Sequence, residues 1–404
     1  MPRPLVDPRP PIPVAFRTED RVAIQQLARD FAMQRVLPVA NELDPVQGLI
    51  PDDLRKEMGR LGFFGILIPE KYEGLGLGVF EYALVTEELA RAWMSVASIT
   101  ARANLAANFR AEQRADVLPR AARGEWLGAF AMSEPDAGSD VASVRTRADK
   151  VDGGYLISGQ KMWCTFADQA NCIVVVARTK PYDAQHRHSG IRQFAVHKEP
   201  GSFPPGVSGN PIRKIGYHGW HTWELSFDEC RVPDDALLGG DDRDSGDPDA
   251  GFKRTARGMT VPRIHTAARA IGLARGALED SIAYVQQRHQ FDRPIGDFQA
   301  IRFKIATMAA EVEACRALMY QAADDADHGD DVDMKAAMAK YLASEMSERV
   351  TSEGLQIHGG AGYTTDFPIE RYWRDARLTK IFEGTSEIMQ RIISDALLPP
   401  TPLR

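Results

Sequence analysis

A few short stretches of this sequence hold residues whose types can do chemistry. Glu383 stands in Ile381-Phe382-Glu383-Gly384-Thr385-Ser386-Glu387. A positioned carboxylate can take a weakly acidic proton if its pocket is dry enough to raise its basicity. On local residues alone, Glu383 reads first as a loop acid beside a helix start. Thr385 fits that helix's cap, and Ile388, Ile392 and Ile393 its buried face. Trp163 and Thr165, a flat aromatic and a hydroxyl, can flank and hydrogen-bond a heteroaromatic ring; Trp163 can equally fill a β core. Arg288 fits a phosphate or a solvated helix end. Gly359-Gly360 permits close approach of backbone to phosphate or stops a helix, and Gly138-Ser139 reads as a turn. The glycines at 74, 76 and 78 make no dinucleotide fingerprint, because Val79 stands where a third spaced glycine is needed. Cys164, Cys172, Cys230 and Cys315 form no C-x-x-C pair and read as buried thiols in a reducing compartment. The nine histidines have no His-x-x-x-His spacing, so no metal site is expected.

Positioning these residues falls to three zones of a 404-residue chain. Hydrophobic residues make up 44% and charged residues 26%, which excludes a disordered, collagenous or disulfide-rich chain. No apolar run approaches the roughly 18 residues of a membrane span. A net charge of −7 provides no global field for nucleic acid. The Pro-rich start to Pro13 has no secretory signal and predicts an irregular arm on a cytoplasmic protein. Residues 1–125 read as helical, with Ile24, Leu27, Ala28 and Phe31 on one face and a helix start at Pro51-Asp52-Asp53. Residues 126–250 read as β. Val144, Thr146 and Ala148 alternate with polar residues, Asp152-Gly153-Gly154 makes a tight turn, and Ile173 to Ala177 forms a buried run. Trp223, Leu225 and Phe227 alternate likewise, and an antiparallel barrel or sandwich is expected. An acidic loop from Asp241 to Asp249 closes that zone. Residues 251–404 read as a four-helix bundle. Its first seam is Ile301, Ile305, Met308, Val312, Cys315, Met319 and Ala322, ended by His328-Gly329-Asp330. Met334, Met338, Leu342 and Met346 follow as the apolar face of a second helix. The fold class is α+β, mostly α.

Five segments, in order and in register, resemble the acyl-CoA dehydrogenase family over nearly the whole chain. They are Phe130-Ala131-Met132-Ser133-Glu134-Pro135-Asp136-Ala137-Gly138-Ser139-Asp140, Gly159 to Thr165, Gln286 to Ile295 with Gln299-Ala300-Ile301, Gln356 to Tyr363, and Ile381 to Glu387. The resemblance implies FAD, a homotetramer (a dimer of dimers), an acyl-CoA or acyl-carrier thioester as substrate, and an electron-transferring flavoprotein as electron acceptor. It implies α,β-desaturation as in β-oxidation, with Glu383 removing the α-proton and the β-hydride passing to flavin N5. The backbone N–H of Glu383 and a flavin ribityl hydroxyl would polarise the thioester carbonyl, with Gly384 beside them.

By the same resemblance, Phe130, Met132, Ser133, Trp163 and Thr165 surround the flavin ring. Arg288, Gln290, Phe291, Gln299, Gln356, Gly359 and Gly360 hold a neighbouring subunit's FAD or the diphosphate side of the site. Thr385 and Glu387 touch the cofactor after the base, and Ser139 and Arg263 contact substrate; for Arg263 a structural ion pair is the other reading. The sequence departs from the family pattern at Asp136, Asp292, Glu387 and Trp220. Asp292 is expected to point away from pyrophosphate, and Glu387 offers no amide donor. Pro262 stands at the family's alternative base position and cannot act as one. Trp220 and Trp223 either reshape the channel mouth or repack the β face. The stretch from Ile99 to Arg110 looks shortened. A same-fold flavin oxidase or monooxygenase and a non-catalytic thioester-binding subunit are the competing readings; retention of Glu383 and Trp163 argues against both.

Overall fold

The computed structural model describes residues 11–239 and 247–398. The first ten residues of the Pro-rich stretch, most of the acidic loop and residues 399–404 lie outside the described residues. Six helices come first: α1 (Glu19–Phe31), α2 (Leu37–Leu43), α3 (Asp52–Arg60), α4 (Val79–Ala92), α5 (Met94–Ala103) and α6 (Ala111–Ala122). Thr18 caps α1 by accepting from the Arg21 N–H, and Pro51 precedes α3 as its sequence predicts. On α1, Ala28 and Phe31 are buried, whereas Leu27 faces outward.

The middle of the chain is one curled sheet of β1 (Gly128–Ala131), β2 (Arg147–Val151), β3 (Gly154–Thr165), β4 (Cys172–Arg178), β5 (Ile191–His197), β6 (Val207–Pro211) and β7 (Thr222–Pro233). Its order is β1-β4-β2-β3-β7-β6, with β5 also on β4. Most pairings are antiparallel, but β1 and β2 run parallel to β4, so the sheet is mixed rather than purely antiparallel. β4 is buried along its length, as its unbroken apolar run predicts. All four cysteines are buried free thiols.

The last part contains α7 (Ala250–Arg257), α8 (Thr260–Gln287), a hairpin of β8 (His289–Gln290) and β9 (Arg293–Pro294), α9 (Gln299–Asp327), α10 (Asp333–His358), α11 (Ile369–Thr379) and α12 (Ser386–Leu397). The α9 seam is buried from Met308 to Ala322. The face expected for α10 holds in part: Met346 is buried and Met334 and Met338 are half-buried. Leu342 is 45% exposed, and the buried face is Ala336, Ala339, Ala343, Ser347, Val350 and Gly354. Close contact with α8 and α11 is the reason. A Cβ on Gly354 would lie 2.7 Å from Ile369 Cδ1, so at that point the face demands a glycine.

A buried ionic lattice ties α8 to the first helices. Arg275 of α8 bonds Glu87 at 2.5 Å and Glu88 at 3.0 Å, both on α4, and Glu279 at 3.1 Å. Arg316 of α9 and the Tyr320 hydroxyl each reach Glu87 at 2.9 Å. Burial alone would raise the Glu87 carboxyl, but Arg316 and Arg275 outweigh it and hold it below the usual value. Arg91 of α4 completes the set, 2.9 Å from Glu279 and 2.7 Å from Asp280. Arg275→Met leaves two buried carboxylates short of a cation. It should cost about 3–5 kcal/mol in denaturant unfolding, whereas Arg391→Ala, at an exposed pair on α12, should leave the midpoint unmoved.

Candidate active site

Glu383 lies on the short connection between α11 and α12. Its φ is +55° and that of Gly384 is +98°, two successive left-handed residues that turn the chain sharply. A non-glycine residue holds this conformation only when its surroundings enforce it, and here they do. Lys340 Nζ of α10 donates to the Gly384 carbonyl at 2.5 Å. Ser386 N–H bonds the Lys380 carbonyl at 3.0 Å, and the Ser386 hydroxyl bonds Glu345 at 2.7 Å. Thr385 Oγ1 caps α12 by accepting from Ile388 N–H at 3.3 Å. The Phe382 ring stands edge-on to Tyr217 with centroids 6.0 Å apart.

The Glu383 carboxylate is 28% exposed and turns onto α8. Arg269 Nη2 approaches it at 2.6 Å, and the Thr266 hydroxyl sits against the same oxygen. Arg269 is 1% exposed. Its Nη1 donates to Ser98 Oγ of α5 at 2.9 Å, and its guanidinium carbon lies 4.5 Å from the Phe382 ring centroid. The sequence reading missed Arg269 and Thr266 while singling out Pro262 and Arg263 on the same helix. A signal was present: an arginine inside the small, apolar run from Ala267 to Ala277 must be buried, and a buried cation needs a partner.

A polar shell backs this pair. Tyr82 of α4 stacks on His265 at 5.0 Å, and Thr100 Oγ1 lies 3.3 Å from the Tyr82 hydroxyl. His265 Nε2 lies 3.2 Å from the Ala97 carbonyl, so it carries the hydrogen and Nδ1 is left as an acceptor. Burial pushes the Tyr82 phenol well up and the His265 imidazole well down, so both are neutral near pH 7. Burial also lowers the Lys340 ammonium to about 8, although nearby Glu383 pulls it back toward charge.

Trp163 stands on a bulge of β3 between Lys161 and Cys164, with φ +62° and 59% of its surface exposed. It therefore does not fill the β core; Cys164 beside it does. Lys161 Nζ bonds the Met132 carbonyl at 2.9 Å and Glu134 at 2.8 Å, and Met162 N–H bonds the Ser133 carbonyl at 2.8 Å. These bonds align Met132 and Ser133, just after β1 with its half-buried Phe130, along the strand that carries Trp163. Thr165 Oγ1 pairs with Thr222 Oγ1 at 3.0 Å. Ser139 is exposed in a turn, and a Cβ on Gly138 would meet nothing.

Arg288, Gln290 and Phe291 form an exposed hairpin at the end of α8. Phe291 and Asp292 are both left-handed, at φ +53° and +59°, which Asp tolerates better than most residues. Tyr284 stacks on His358 at 4.2 Å and donates to its carbonyl at 3.2 Å, bringing the hairpin beside Gly359-Gly360. A Cβ on either glycine would meet no described residue within 4 Å. Gln299 and Gln356 are also exposed. Helix rise puts Arg288 about 28 Å along α8 from Arg269, so one chain does not gather both sets at one point. Arg263 is buried, with Nη1 3.5 Å from Asp333 and its Nε unpaired. Glu387 is exposed in the first turn of α12.

Trp220 is buried, and its indole N–H donates to the Ser95 carbonyl of α5 at 3.0 Å. Tyr217 N–H donates to Asp375 of α11 at 2.5 Å. The segment from Ile215 to Thr222 is thus a joint between the sheet and both helical parts. It corrects the choice between a channel mouth and a repacked β face. Trp223 is half-buried against Phe203, with ring centroids 5.1 Å apart.

Three family models match in sequence along the chain: the acyl-CoA dehydrogenase N-terminal domain at residues 18–125, its middle domain at 129–230 and its C-terminal domain at 249–398. An acyl-CoA dehydrogenase of Bacillus subtilis is 39% identical over 390 residues, covering 95% of this chain and 99% of that protein. Butyryl-CoA dehydrogenase from Megasphaera elsdenii superposes with a TM-score of 0.87 at 34% identity, over 94% of this chain and 98% of its own. A chain solved in work on the electron transferring flavoprotein of Acidaminococcus fermentans gives 0.88 at 36%, over 95% and 99%.

The lowered Lys340 value has a stability consequence. Its folded value of about 8 lies below the ordinary lysine value of 10.5, so the folded chain releases the proton first. Unfolding stability should therefore rise with pH between about 8 and 10.5 and fall as pH drops through 8. Relative to Lys340→Met, the wild type should gain roughly 2–3 kcal/mol across that window in matched denaturant titrations.

Proposed function

The chain belongs to the acyl-CoA dehydrogenase family, a family of FAD-dependent oxidoreductases, and from that premise we propose that it desaturates an acyl thioester between Cα and Cβ with Glu383 as the base. The observation that carries this reading is the Glu383 carboxylate itself. It is partly open and stands on an enforced left-handed turn whose backbone Lys340 of α10 anchors, rather than on a mobile loop. Such preorganisation suits removal of a proton α to a thioester. Among the described residues the backbone N–H of Glu383 has no acceptor, which leaves it available to polarise the thioester carbonyl.

The residues present fit FAD. Trp163 offers an open indole face instead of core packing, with Met132, Ser133 and Thr165 nearby. Gly359 and Gly360 leave open backbone, with no described residue within 4 Å of where a Cβ would stand. FAD, when bound, supplies the acceptor for the two electrons and the hydrogen leaving Cβ. Trp163 would flank its ring, and Arg288, Gln290, Phe291, Gln299, Gln356 and the glycine pair would hold the diphosphate side of a copy bound mainly by a second subunit. The distance of that patch from Arg269 along α8 supports a site that two chains complete, as in a homotetramer built as a dimer of dimers. Electrons then pass to an electron-transferring flavoprotein, the kind of protein studied with one of the similar structures.

The Glu383→Gln variant should retain FAD and lose about 10²–10⁴-fold in the rate of flavin bleaching by acyl-CoA under anaerobic conditions. Near-wild-type bleaching would overturn the assignment of the base. Trp163→Ala should instead release FAD during gel filtration at a concentration where the wild type stays yellow. Unchanged retention would remove Trp163 from the cofactor site.

A further inference from the structure

We infer that the acyl group taken by this site carries a second carboxylate, a few bonds beyond the thioester, which Arg269 receives. This deepens the desaturase reading and rests on it. Among the described residues, Glu383 is the acid that pairs with Arg269. If Glu383 is the base, it must leave that contact for Cα and become neutral on taking the proton. Among the described residues, a guanidinium 1% exposed would then keep the Ser98 and Thr266 hydroxyls and the Phe382 ring as neighbours, with no acid paired to it. An isolated buried cation is strongly disfavoured. An apolar acyl chain provides no remedy, whereas an acyl carboxylate restores the charge balance.

Three further observations point the same way. Arg269 Nε is buried without a hydrogen-bond partner, so the fork has a donor to spare. The surrounding wall is polar where an aliphatic chain would want apolar contact: Ser98, Thr100, Tyr82 and His265. The charge around the carboxylate is unbalanced. Arg102, half-buried at the end of α5 and without an ion pair among the described residues, acts electrostatically on both Tyr82 and His265, and Lys340 adds a further cation next to Glu383. The other acids near Lys340 are Glu345, paired with Lys380, and Glu387, which is exposed. Because Arg269 touches the carboxylate that must reach Cα, the second carboxylate sits only a short way along the acyl group. It would anchor the substrate while Glu383 takes the proton from Cα, and bound FAD would supply the acceptor for the hydrogen and electron pair leaving Cβ.

The test uses the FAD-loaded enzyme and anaerobic bleaching by glutaryl-CoA, its methyl ester, methylsuccinyl-CoA and butyryl-CoA. At least one of the two carboxyacyl thioesters should exceed butyryl-CoA in kcat/KM by about 100-fold or more, and glutaryl-CoA should exceed its own ester, which differs in the terminal charge and one methyl. Arg269→Gln should collapse that ratio chiefly through KM for the carboxyacyl thioester, and Arg269→Lys should restore part of it. A binding measurement does not depend on those variants. Glu383→Gln should bind glutaryl-CoA at least 10-fold more tightly than the ester by calorimetry. Rapid bleaching by butyryl-CoA with no advantage for either carboxyacyl thioester overturns this inference and leaves the desaturase reading standing. If no acyl-CoA bleaches the flavin, both fall.

Discussion

Helix α8 has to be immobile, and the buried pairing of Arg275 with Glu87 and Glu88 makes it so. Fully desolvated charges tolerate little misplacement, because each hydrogen bond lost leaves an uncompensated ion. The lattice sets the height and rotation of α8 against α4 and α9. Six residues earlier on the same helix, Arg269 meets Glu383. The order that the first arginine imposes on the helix is therefore the order in which the second presents its guanidinium. Small residues do the complementary work on α10, whose close approach to α8 brings Lys340 under the Gly384 carbonyl.

Much of the architecture was legible in the residues. The change from helical to alternating periodicity marks where the sheet begins, and the period of 3.5 from Met308 to Ala322 marks a buried seam. Helix starts at Pro51 and Thr385 followed from cap chemistry. Leu342 was misread because periodicity reports hydrophobicity and not space. It sits at a helical interval from buried Met346 yet faces out, since the helix turns its mostly small residues, such as Ala336, Ala339, Ala343 and Gly354, toward its partners. Parallel pairing of β1 and β2 with β4 leaves no local trace, because register between distant strands is decided by the loops that return the chain.

The candidate site was legible as a set of motifs but not as a neighbourhood. Short patterns pointed to Glu383, Trp163 and the Arg288 hairpin, and nothing in them tells which stand together. Folding groups Met132 and Ser133 with Trp163 through Lys161, whose buried amine has no marker in the sequence beyond its place on an alternating strand. It groups Glu383 with Arg269, Thr266 and Ser98, residues 114 to 285 positions away. Those partners missed notice because Thr266 and Ser98 are ordinary helix residues, and an arginine draws attention only when its surroundings are known to be dry.

The joint from Ile215 to Thr222 bears on how such a chain can be taken apart. Its three regions look like modules that might be cut out and exchanged. Trp220 nonetheless hangs its indole on the backbone of α5, and Tyr217 supplies a backbone donor to Asp375, a carboxyl that burial raises to about 6. Excising the sheet would strip a large aromatic of its socket and leave that acid without its donor. Inheritance, recombination and engineering must therefore treat this eight-residue segment as the property of all three regions. A transplanted sheet works only if the host's fifth and eleventh helices come with it.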